Sequence, residues 1–240
     1  MNRNTPSLDL VEFIESKILP LYARFDKAHS MEHVTRVIRR SLDLASITGA
    51  DIDMVYTIAA YHDLGLSGPR AIHHKTGANI LAGDTRLQKW FSPQQINIMK
   101  EAVEDHRASA SRAPRSIYGK IVAEADRDLE PDVVFKRSVE YGLSNYPQLD
   151  IEGHWNRFCS HLIAKYSSSG YVKLWIPGSK NEANLKKLRS IIDNKDELMK
   201  YFIKYYLEGT EETKDPKNID GGKDSKNGSV KEVPGESKPN

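Results

Sequence analysis

Histidine and aspartate residues interrupt apolar helical segments of this chain, most plainly in the stretch AAYHDLGLSG. A run of small and apolar residues there ends at His62 and Asp63 and breaks at Gly65. A buried, charged carboxylate needs a strong partner, and a divalent cation is such a partner. The alternative is that Asp63 is a cap or a surface residue at a helix end. We expect Gly65 to end the helix in the left-handed conformation and to open the site to a loop.

Further nitrogen and oxygen donors lie in other helical segments. They are His33, His73 or His74, His106 and Asp126. Each has an ordinary explanation when taken alone: a histidine bound to a backbone carbonyl, a solvated histidine, or a residue that the helix dipole favours at a helix end. A shared site explains the combination better, because a helical bundle can project such side chains from several helices to one point. For His154 and His161, on a later segment, we favour a structural role.

The elements that must position these donors are helical almost throughout. Apolar residues recur at spacings of three and four in VEFIESKIL, VTRVIRRSLDLASI and MVYTIAAYHDL. The stretch Ser92-Pro93-Gln94-Gln95 predicts a helix start, with a cap residue, a proline and then a glutamine at the third helical position. We expect that helix to run to about His106. The helical pattern continues through ANLKKLRSIIDNKDELMKYFIKYYL, and the segment YVKLWIP is ambiguous.

Composition predicts one folded unit and a tail. The 240 residues are 39% hydrophobic and 28% charged, which suits a globular chain that can bury a substantial core. Residues 7–208 are predicted to form an all-α domain. Beyond them the chain is rich in Gly, Pro, Lys, Asp, Glu, Ser and Asn. Such a segment cannot offset its ordering entropy by burial, so we predict that residues 209–240 form a disordered tail.

Charge and cysteine content exclude several classes of function. The net charge is only +2 and the basic residues are scattered, so we expect neither a nucleic-acid nor a membrane partner. No apolar run approaches the roughly 20 residues that cross a bilayer, and the N-terminus lacks a secretory signal. The single cysteine, Cys159, rules out an intramolecular disulfide and a thiolate metal cluster. We expect a cytoplasmic protein. An oligomer is compatible with the sequence.

In order and context, the motifs resemble the HD superfamily of metal-dependent phosphohydrolases, whose signature is H…HD…D. The matching stretches are AHSMEHVTRV with His33, AAYHDLG with His62 and Asp63, and AEADRD with Asp126. The resemblance covers about residues 25–140. It implies an HD-domain helical bundle with additional C-terminal helices.

Two more segments resemble those HD proteins that bind two metals. HHKTGANIL is similar to their H-x-x-x-G segment, which selects His73 over His74 by its spacing to Gly77. AVEDHRAS is similar to their next histidine segment, which selects His106. The resemblance implies one metal on His33, His62, Asp63 and Asp126, and a second on Asp63, His73 and His106. Such donors suit Mn, Fe, Co, Mg or Zn without selecting among them.

The resemblance further implies hydrolysis of a phosphate ester or anhydride by metal-activated water, with a nucleotide as the expected substrate. Asp63 and the nearby His29 would be catalytic residues. Lys75, Arg107 and Arg127 each stand beside or near a proposed ligand, so we expect them to contact phosphate. The alternative for each of these cations is an ordinary solvated charge.

The motifs say less about the substrate. The stretch ADRDLEP is similar to the AD-x-x-E-P segment of bacterial HD enzymes that cleave diadenosine tetraphosphate. HDLG is followed by Leu66 rather than lysine, and no GYP follows His106, which argues against the HD-GYP cyclic-dinucleotide phosphodiesterases. A nucleotide-binding sensor on an HD scaffold without turnover is the alternative, although all six ligands are kept. A helical adaptor without metal would leave His62 and Asp63 unexplained.

Overall fold

Helices make up most of the chain in a computed structural model that describes residues 5–26, 29–107 and 112–212. The α-helices are α1 (Leu8–Lys17), α2 (Met31–Thr48), α3 (Ile52–Tyr61), α4 (His73–Gly83), α5 (Pro93–Asp105), α6 (Ile117–Ala125), α7 (Pro131–Asn145), α8 (Ile151–Tyr166), α9 (Lys180–Asp193) and α10 (Lys195–Glu212). The described ranges contain no strand, which confirms the all-α prediction. None of their helices has the length and apolar character needed to cross a bilayer.

Helix α3 lies at the centre of the first hydrophobic core. Every residue of α3 after Ile52 is buried, and α2, α5 and α6 pack around it. A helix surrounded on all sides is expected to lack a polar face, which explains why its sequence is apolar or small nearly throughout. Polar residues at the end of α3 are therefore carried deep into the molecule.

A second hydrophobic core joins α7, α8, α9 and α10. Aromatic rings fill its centre, with ring centroids 5.9 Å apart between Phe135 and Phe158 and 5.4 Å apart between Phe158 and Phe202. His154 is buried on α8 beside the ring of Tyr206, at a centroid distance of 5.6 Å. This position agrees with a structural role for His154.

A buried glutamate on α6 holds the segment that precedes α9. Glu124 on α6 is fully buried, and its Oε2 accepts hydrogen bonds from the backbone N–H groups of Trp175 at 2.7 Å and Ile176 at 2.9 Å. The side-chain amide of Asn181 donates to the carbonyls of Glu124 and Arg127, at 2.8 and 3.2 Å. The irregular segment before α9 is thereby held against the end of α6.

Local signals in the sequence predicted some boundaries correctly. The expected capping box at the start of α5 is confirmed: the Ser92 hydroxyl accepts from the Gln95 N–H at 3.3 Å, and the Gln95 side chain accepts from the Ser92 N–H at 3.0 Å. The last helical pattern is divided in two at Asn194, whose backbone is extended and whose side chain accepts from the Glu197 N–H at 3.1 Å. Helix α10 ends at Glu212, and the rest of the predicted tail lies outside the described residues.

Candidate metal centre

The end of α3 carries His62 and Asp63 into a buried position. Their exposed fractions are 0% and 3%. The buried Tyr22 hydroxyl donates to the carbonyl of Ala60 at 3.0 Å and accepts from the backbone N–H of Asp63 at 3.4 Å. Tyr22 thus fixes the backbone on which both residues stand. No sequence pattern pointed to Tyr22, because its partners are backbone groups far along the chain.

Gly65 has a different role from the one expected. The expectation that it ends α3 in the left-handed conformation is wrong: Gly65 lies in a short 3₁₀ turn, Leu64–Ser67, and the positive-φ glycines of the described residues are Gly49 and Gly178. A Cβ at Gly65 would lie 1.9 Å from the carbonyl oxygen of His73. A glycine here lets the first turn of α4 lie directly against the chain that follows Asp63.

One group of donor atoms forms around the Nε2 atom of His33. This atom lies 3.3 Å from His62 Nε2, 3.4 Å from Asp63 Oδ2 and 3.2 Å from Asp126 Oδ1. His62 Nε2 is also 3.1 Å from Asp63 Oδ2 and 3.8 Å from Asp126 Oδ1. Four side chains from α2, the end of α3 and the end of α6 therefore face one point.

A second group forms on the other side of Asp63. His73 Nε2 lies 3.1 Å from His106 Nε2, and these two atoms lie 3.7 and 3.6 Å from Asp63 Oδ1. Oδ2 of Asp63 faces the first group while Oδ1 faces the second, so the carboxylate is shared. His74 belongs to neither group, and its buried Nδ1 has no hydrogen-bond partner among the described residues.

Three of the histidine rings are fixed in the same way, through Nδ1 and the carbonyl three residues earlier. The pairs are His62 with Ala59 at 2.7 Å, His73 with Arg70 at 2.8 Å and His106 with Val103 at 2.6 Å. A carbonyl oxygen only accepts, so Nδ1 carries the proton and Nε2 of the neutral ring keeps its lone pair. This arrangement is typical of metal-binding histidines. His33 differs, because its Nδ1 lies 3.5 Å from an Arg36 nitrogen.

The donor set fits divalent cations. Two Nε2 lone pairs that face each other at 3.1 Å, as in His73 and His106, repel unless a positive charge lies between them. Ligands about 2.1 Å from a metal are about 3.0 Å apart in an octahedral site and about 3.4 Å apart in a tetrahedral one. Most of the donor distances in both groups lie near these values. The chain therefore has side chains that could hold metal at this point.

Without a cation, protons on the histidines balance the charges of Asp63 and Asp126. Burial alone would lower the pKa of His33, but hydrogen bonds to Asp126 and Asp63 raise it to about 9. Burial would raise the pKa of Asp126, but the hydrogen bond from His33 and the attraction of His62 lower it to about 2. The pKa of Asp63 is lowered in the same way against burial, first by the charge of His62 and then by its histidine hydrogen bonds.

Asp128 and Arg40 position the segment that carries Asp126. The carboxylate of Asp128 accepts from Arg40 at 3.0 Å and lies 3.7 Å from Arg36 Nε. The second guanidinium nitrogen of Arg40 donates to the carbonyl of the residue after Asp126, at 3.2 Å. Neither Asp128 nor Arg40 was expected from the sequence. The available signal was spacing, because Arg36 and Arg40 follow His33 on one face of α2.

His29 lies beside the first donor group but outside it. Its Nδ1 is 2.7 Å from Asp26 Oδ1, and its ring centroid is 6.0 Å from that of His33. Helix α2 begins at Met31, so His33 lies on that helix and His29 precedes it. The structure therefore brings His29 near the centre from the preceding segment.

Of the three residues predicted to contact phosphate, two line one cavity and the third does not. Arg107 and Arg127 line the same cavity, where they donate to the carbonyls of Ala71 at 2.9 Å and Lys173 at 2.6 Å. Lys75 is exposed on α4 and is not among the residues that line that cavity. Two of the three basic side chains are thus brought together beside the proposed metal ligands.

Comparison with protein families identifies the fold that holds this centre. Residues 31–129 match the family model of the HD domain. This part of the chain is an HD domain. It contains both donor groups, and helices α7 to α10 lie beyond the match.

Among solved structures, the HD-domain chain is similar to a predicted HD superfamily hydrolase from an uncultured Thermotogales bacterium. The identity is 23%, the similarity covers 64% of this chain and 84% of that one, and the TM-score is 0.43. The comparison with curated proteins found no match.

Proposed function

We propose that this HD-domain protein is a metal-dependent phosphohydrolase that cleaves a phosphate ester or anhydride, with a nucleotide as the substrate class. The observation that supports it best is the shared carboxylate, with Asp63 Oδ2 facing His33 and His62 while Oδ1 faces His73 and His106. A shared carboxylate is what two neighbouring cations need. The presence of all six donors also favours an enzyme over a sensor that has lost turnover.

Each part of the centre has a separate task in this proposal. His33, His62, Asp63 and Asp126 would hold one cation, and Asp63, His73 and His106 would hold another. Bound divalent cations supply Lewis acidity toward the phosphoryl group and lower the pKa of water. The backbone carbonyls behind three of the histidines keep their Nε2 atoms directed at the cations, so that the donor atoms need not reorganise on binding.

His29 is proposed to move a proton at the edge of the centre. The Asp26 carboxylate accepts the Nδ1 proton of His29, which leaves Nε2 as the atom that can exchange a proton. Proton transfer to a leaving oxygen is a common contribution of histidine to hydrolysis. His29 is partly exposed, as a group that meets the substrate must be.

Arg107 and Arg127 are proposed to bind phosphate oxygens beside the centre. Each directly follows a proposed ligand, His106 or Asp126, so its backbone position is fixed by the same elements. A guanidinium group presents several N–H donors in a plane that matches a phosphate. Lys75 would contribute from the exposed side of α4 only to a substrate that extends there.

The test measures bound metal per chain and phosphate release from a panel of phosphate esters and nucleotides with added Mn²⁺ or Fe²⁺. Asp63→Asn keeps the shape of the side chain but removes its charge, so we expect less bound metal and no hydrolysis. Asp43→Asn, at an exposed position on α2, is the matched control and should behave as wild type. A metal-free wild type, or an active Asp63→Asn variant, would refute the proposal.

Two further outcomes separate the alternatives. His73→Ala or His106→Ala should lower the metal content by about one ion per chain, and unchanged content in both would argue for a single-ion centre. If wild type binds metal and nucleotides but releases phosphate from none of the panel, the protein is a sensor rather than an enzyme.

A further inference from the structure

The metal centre is more exposed on one side than on the other. The side chains of His106 and Asp63 are 2% and 4% exposed, whereas those of His73, His29 and Asp126 are 14%, 16% and 27% exposed. A substrate must therefore approach past the more exposed residues. Of these, His29 belongs to neither donor group, so it stands on the side of the substrate without being a proposed ligand.

His29 is held by an aspartate rather than by a backbone carbonyl alone. Its ring Nδ1 donates to Asp26 Oδ1 at 2.7 Å. Its backbone N–H donates to the same oxygen at 3.2 Å and to the carbonyl of Asp26 at 3.0 Å. These contacts fix the ring with Nε2 directed away from Asp26. Among the described residues, no group forms a hydrogen bond with that Nε2, and it is not buried.

The kind of acceptor distinguishes His29 from the proposed ligands. His62, His73 and His106 donate Nδ1 to uncharged carbonyls, and a histidine must be neutral to bind a cation. A carboxylate forms a stronger, charge-assisted hydrogen bond, and it attracts the positive charge of a ring that is protonated at both nitrogens. The surroundings of His29 therefore suit a ring that carries a second proton on Nε2 and gives it up.

A second contact of Asp26 spans the rim of the centre. Arg70 Nη1 lies 3.6 Å from Asp26 Oδ2, and the carbonyl of Arg70 accepts from His73 Nδ1 at 2.8 Å. Arg70 therefore connects the segment that carries His29 with the start of α4. Both partners of this ion pair are exposed, so the pair itself contributes little stability, and the orientation of His29 depends mainly on Asp26.

A proton donor matters for one class of phosphate compound more than for the other. In hydrolysis, a water oxygen bonds to phosphorus while the bond between phosphorus and the leaving oxygen breaks. An alcohol leaves an ester as a strongly basic alkoxide unless it takes a proton, whereas a phosphate leaves an anhydride as a stable anion. The Nε2 proton of His29 passes to the departing alcohol oxygen, and the proton that the water loses returns to the ring.

We propose that Asp26 is a positioning residue for His29 and that the substrate is a phosphate ester whose leaving group is an alcohol, such as a sugar hydroxyl of a nucleotide. A donor held in this way would add little to the cleavage of an anhydride. The proposal rests on the proposed function of the metal centre, and it selects between the two bond types, ester and anhydride, that this function leaves open.

The first test needs neither metal nor turnover. NMR of the chelator-treated full chain, with isotope-labelled histidine nitrogens and at alkaline pH, reports which nitrogen of each neutral ring carries the proton. We expect His29, assigned by the loss of its signals in His29→Asn, to carry the proton on Nδ1, and Asp26→Ala to lose this preference. A wild-type His29 protonated on Nε2 would overturn the positioning role.

The second test measures kcat with added Mn²⁺ for phosphate monoesters whose leaving groups range from nitrophenol to alkyl alcohols. Asp26→Ala should lose about 100-fold on the alkyl esters, the low end of a general-acid contribution, and little on nitrophenyl phosphate. Asp26→Asn keeps an acceptor oxygen and should recover part of the loss. Asp43→Ala, at an exposed carboxylate on α2, is the matched control and should behave as wild type.

Metal content per chain is measured in the same samples and should equal that of wild type in every variant. An equal loss across all leaving groups, or a lower metal content in Asp26→Ala, would overturn the proposal, because the change would then act on the whole centre. A wild type that cleaves anhydrides but no ester would refute this proposal alone. A wild type that cleaves neither would refute the proposed function.

Discussion

Replacing Gly65 by alanine tests how the backbone assembles the metal centre. The added Cβ would lie 1.9 Å from the carbonyl oxygen of His73 and 2.4 Å from the backbone nitrogen of Gly77. Ordinary contacts of a Cβ begin at 3.4 Å. Because both neighbours are backbone atoms, no side-chain rotation relieves the clash. The difference between 3.4 and 1.9 Å means that the first turn of α4 must move by about 1.5 Å.

That movement is large on the scale of metal coordination. His73 is the first residue of α4, and its Nε2 lies 3.1 Å from His106 Nε2. Metal–ligand distances tolerate about 0.2 Å, so a shift of about 1.5 Å removes His73 from the second donor group. The first group stands on α2, α3 and the end of α6 and should keep its cation. Overpacking of this kind also lowers the free energy of unfolding by about 1–3 kcal/mol.

The assay is metal content per chain by atomic emission spectrometry, with the free energy of unfolding from urea denaturation. We expect Gly65→Ala to contain about one ion fewer than wild type and to lose most phosphate release. Gly83→Ala is the matched control, since it lies at the other end of α4 and its Cβ would meet nothing within 4 Å. Wild-type metal content and activity in Gly65→Ala would show that the close approach does not position His73.

Three other changes test the surroundings of the centre. Asp128→Asn removes the charge that holds Arg40 and should weaken metal binding about tenfold in a metal titration; an unchanged affinity would show that Asp126 needs no such support. Glu124→Ala leaves the N–H groups of Trp175 and Ile176 without an acceptor and should cost about 2–4 kcal/mol by urea denaturation, whereas Glu124→Gln, which keeps one acceptor oxygen, should cost less. Mn²⁺ at about 100 times its dissociation constant should stabilise wild type by about 2.7 kcal/mol per site in thermal unfolding, and Asp63→Asn should lose this gain.

The sequence was most informative where a polar residue interrupts an apolar helix. Asp63 and Asp126 could be selected in advance because a carboxylate beside a buried helical segment needs a partner. The resemblance also selected His73 over His74 by its spacing to Gly77, and the structure directs His73 toward Asp63. Whether these residues bind metal remains a prediction for the experiments above.

Contacts between backbone groups could not be predicted in the same way. The role of Gly65 depends on which helix lies against it. The residues next to Gly65 in the sequence do not indicate that the carbonyl of His73 approaches it. The division of the last helical segment at Asn194 was missed because apolar spacing continues across it, while an asparagine that caps a helix looks like any polar surface residue. The position of Trp175 is likewise set by a glutamate 51 residues away.

Two of the proposed ligand histidines stand at helix ends, where the ordinary and the functional explanations of a histidine are compatible. His62 follows α3 and His106 follows α5, where the last carbonyls of each helix have no N–H partner. In each case Nδ1 satisfies one of those carbonyls, and the ring is thereby oriented with Nε2 toward the donor group. A histidine directly after an apolar helix can therefore cap the helix and bind a cation at once. A capping role is thus no argument against a ligand role, and the deciding observation is where the second ring nitrogen points.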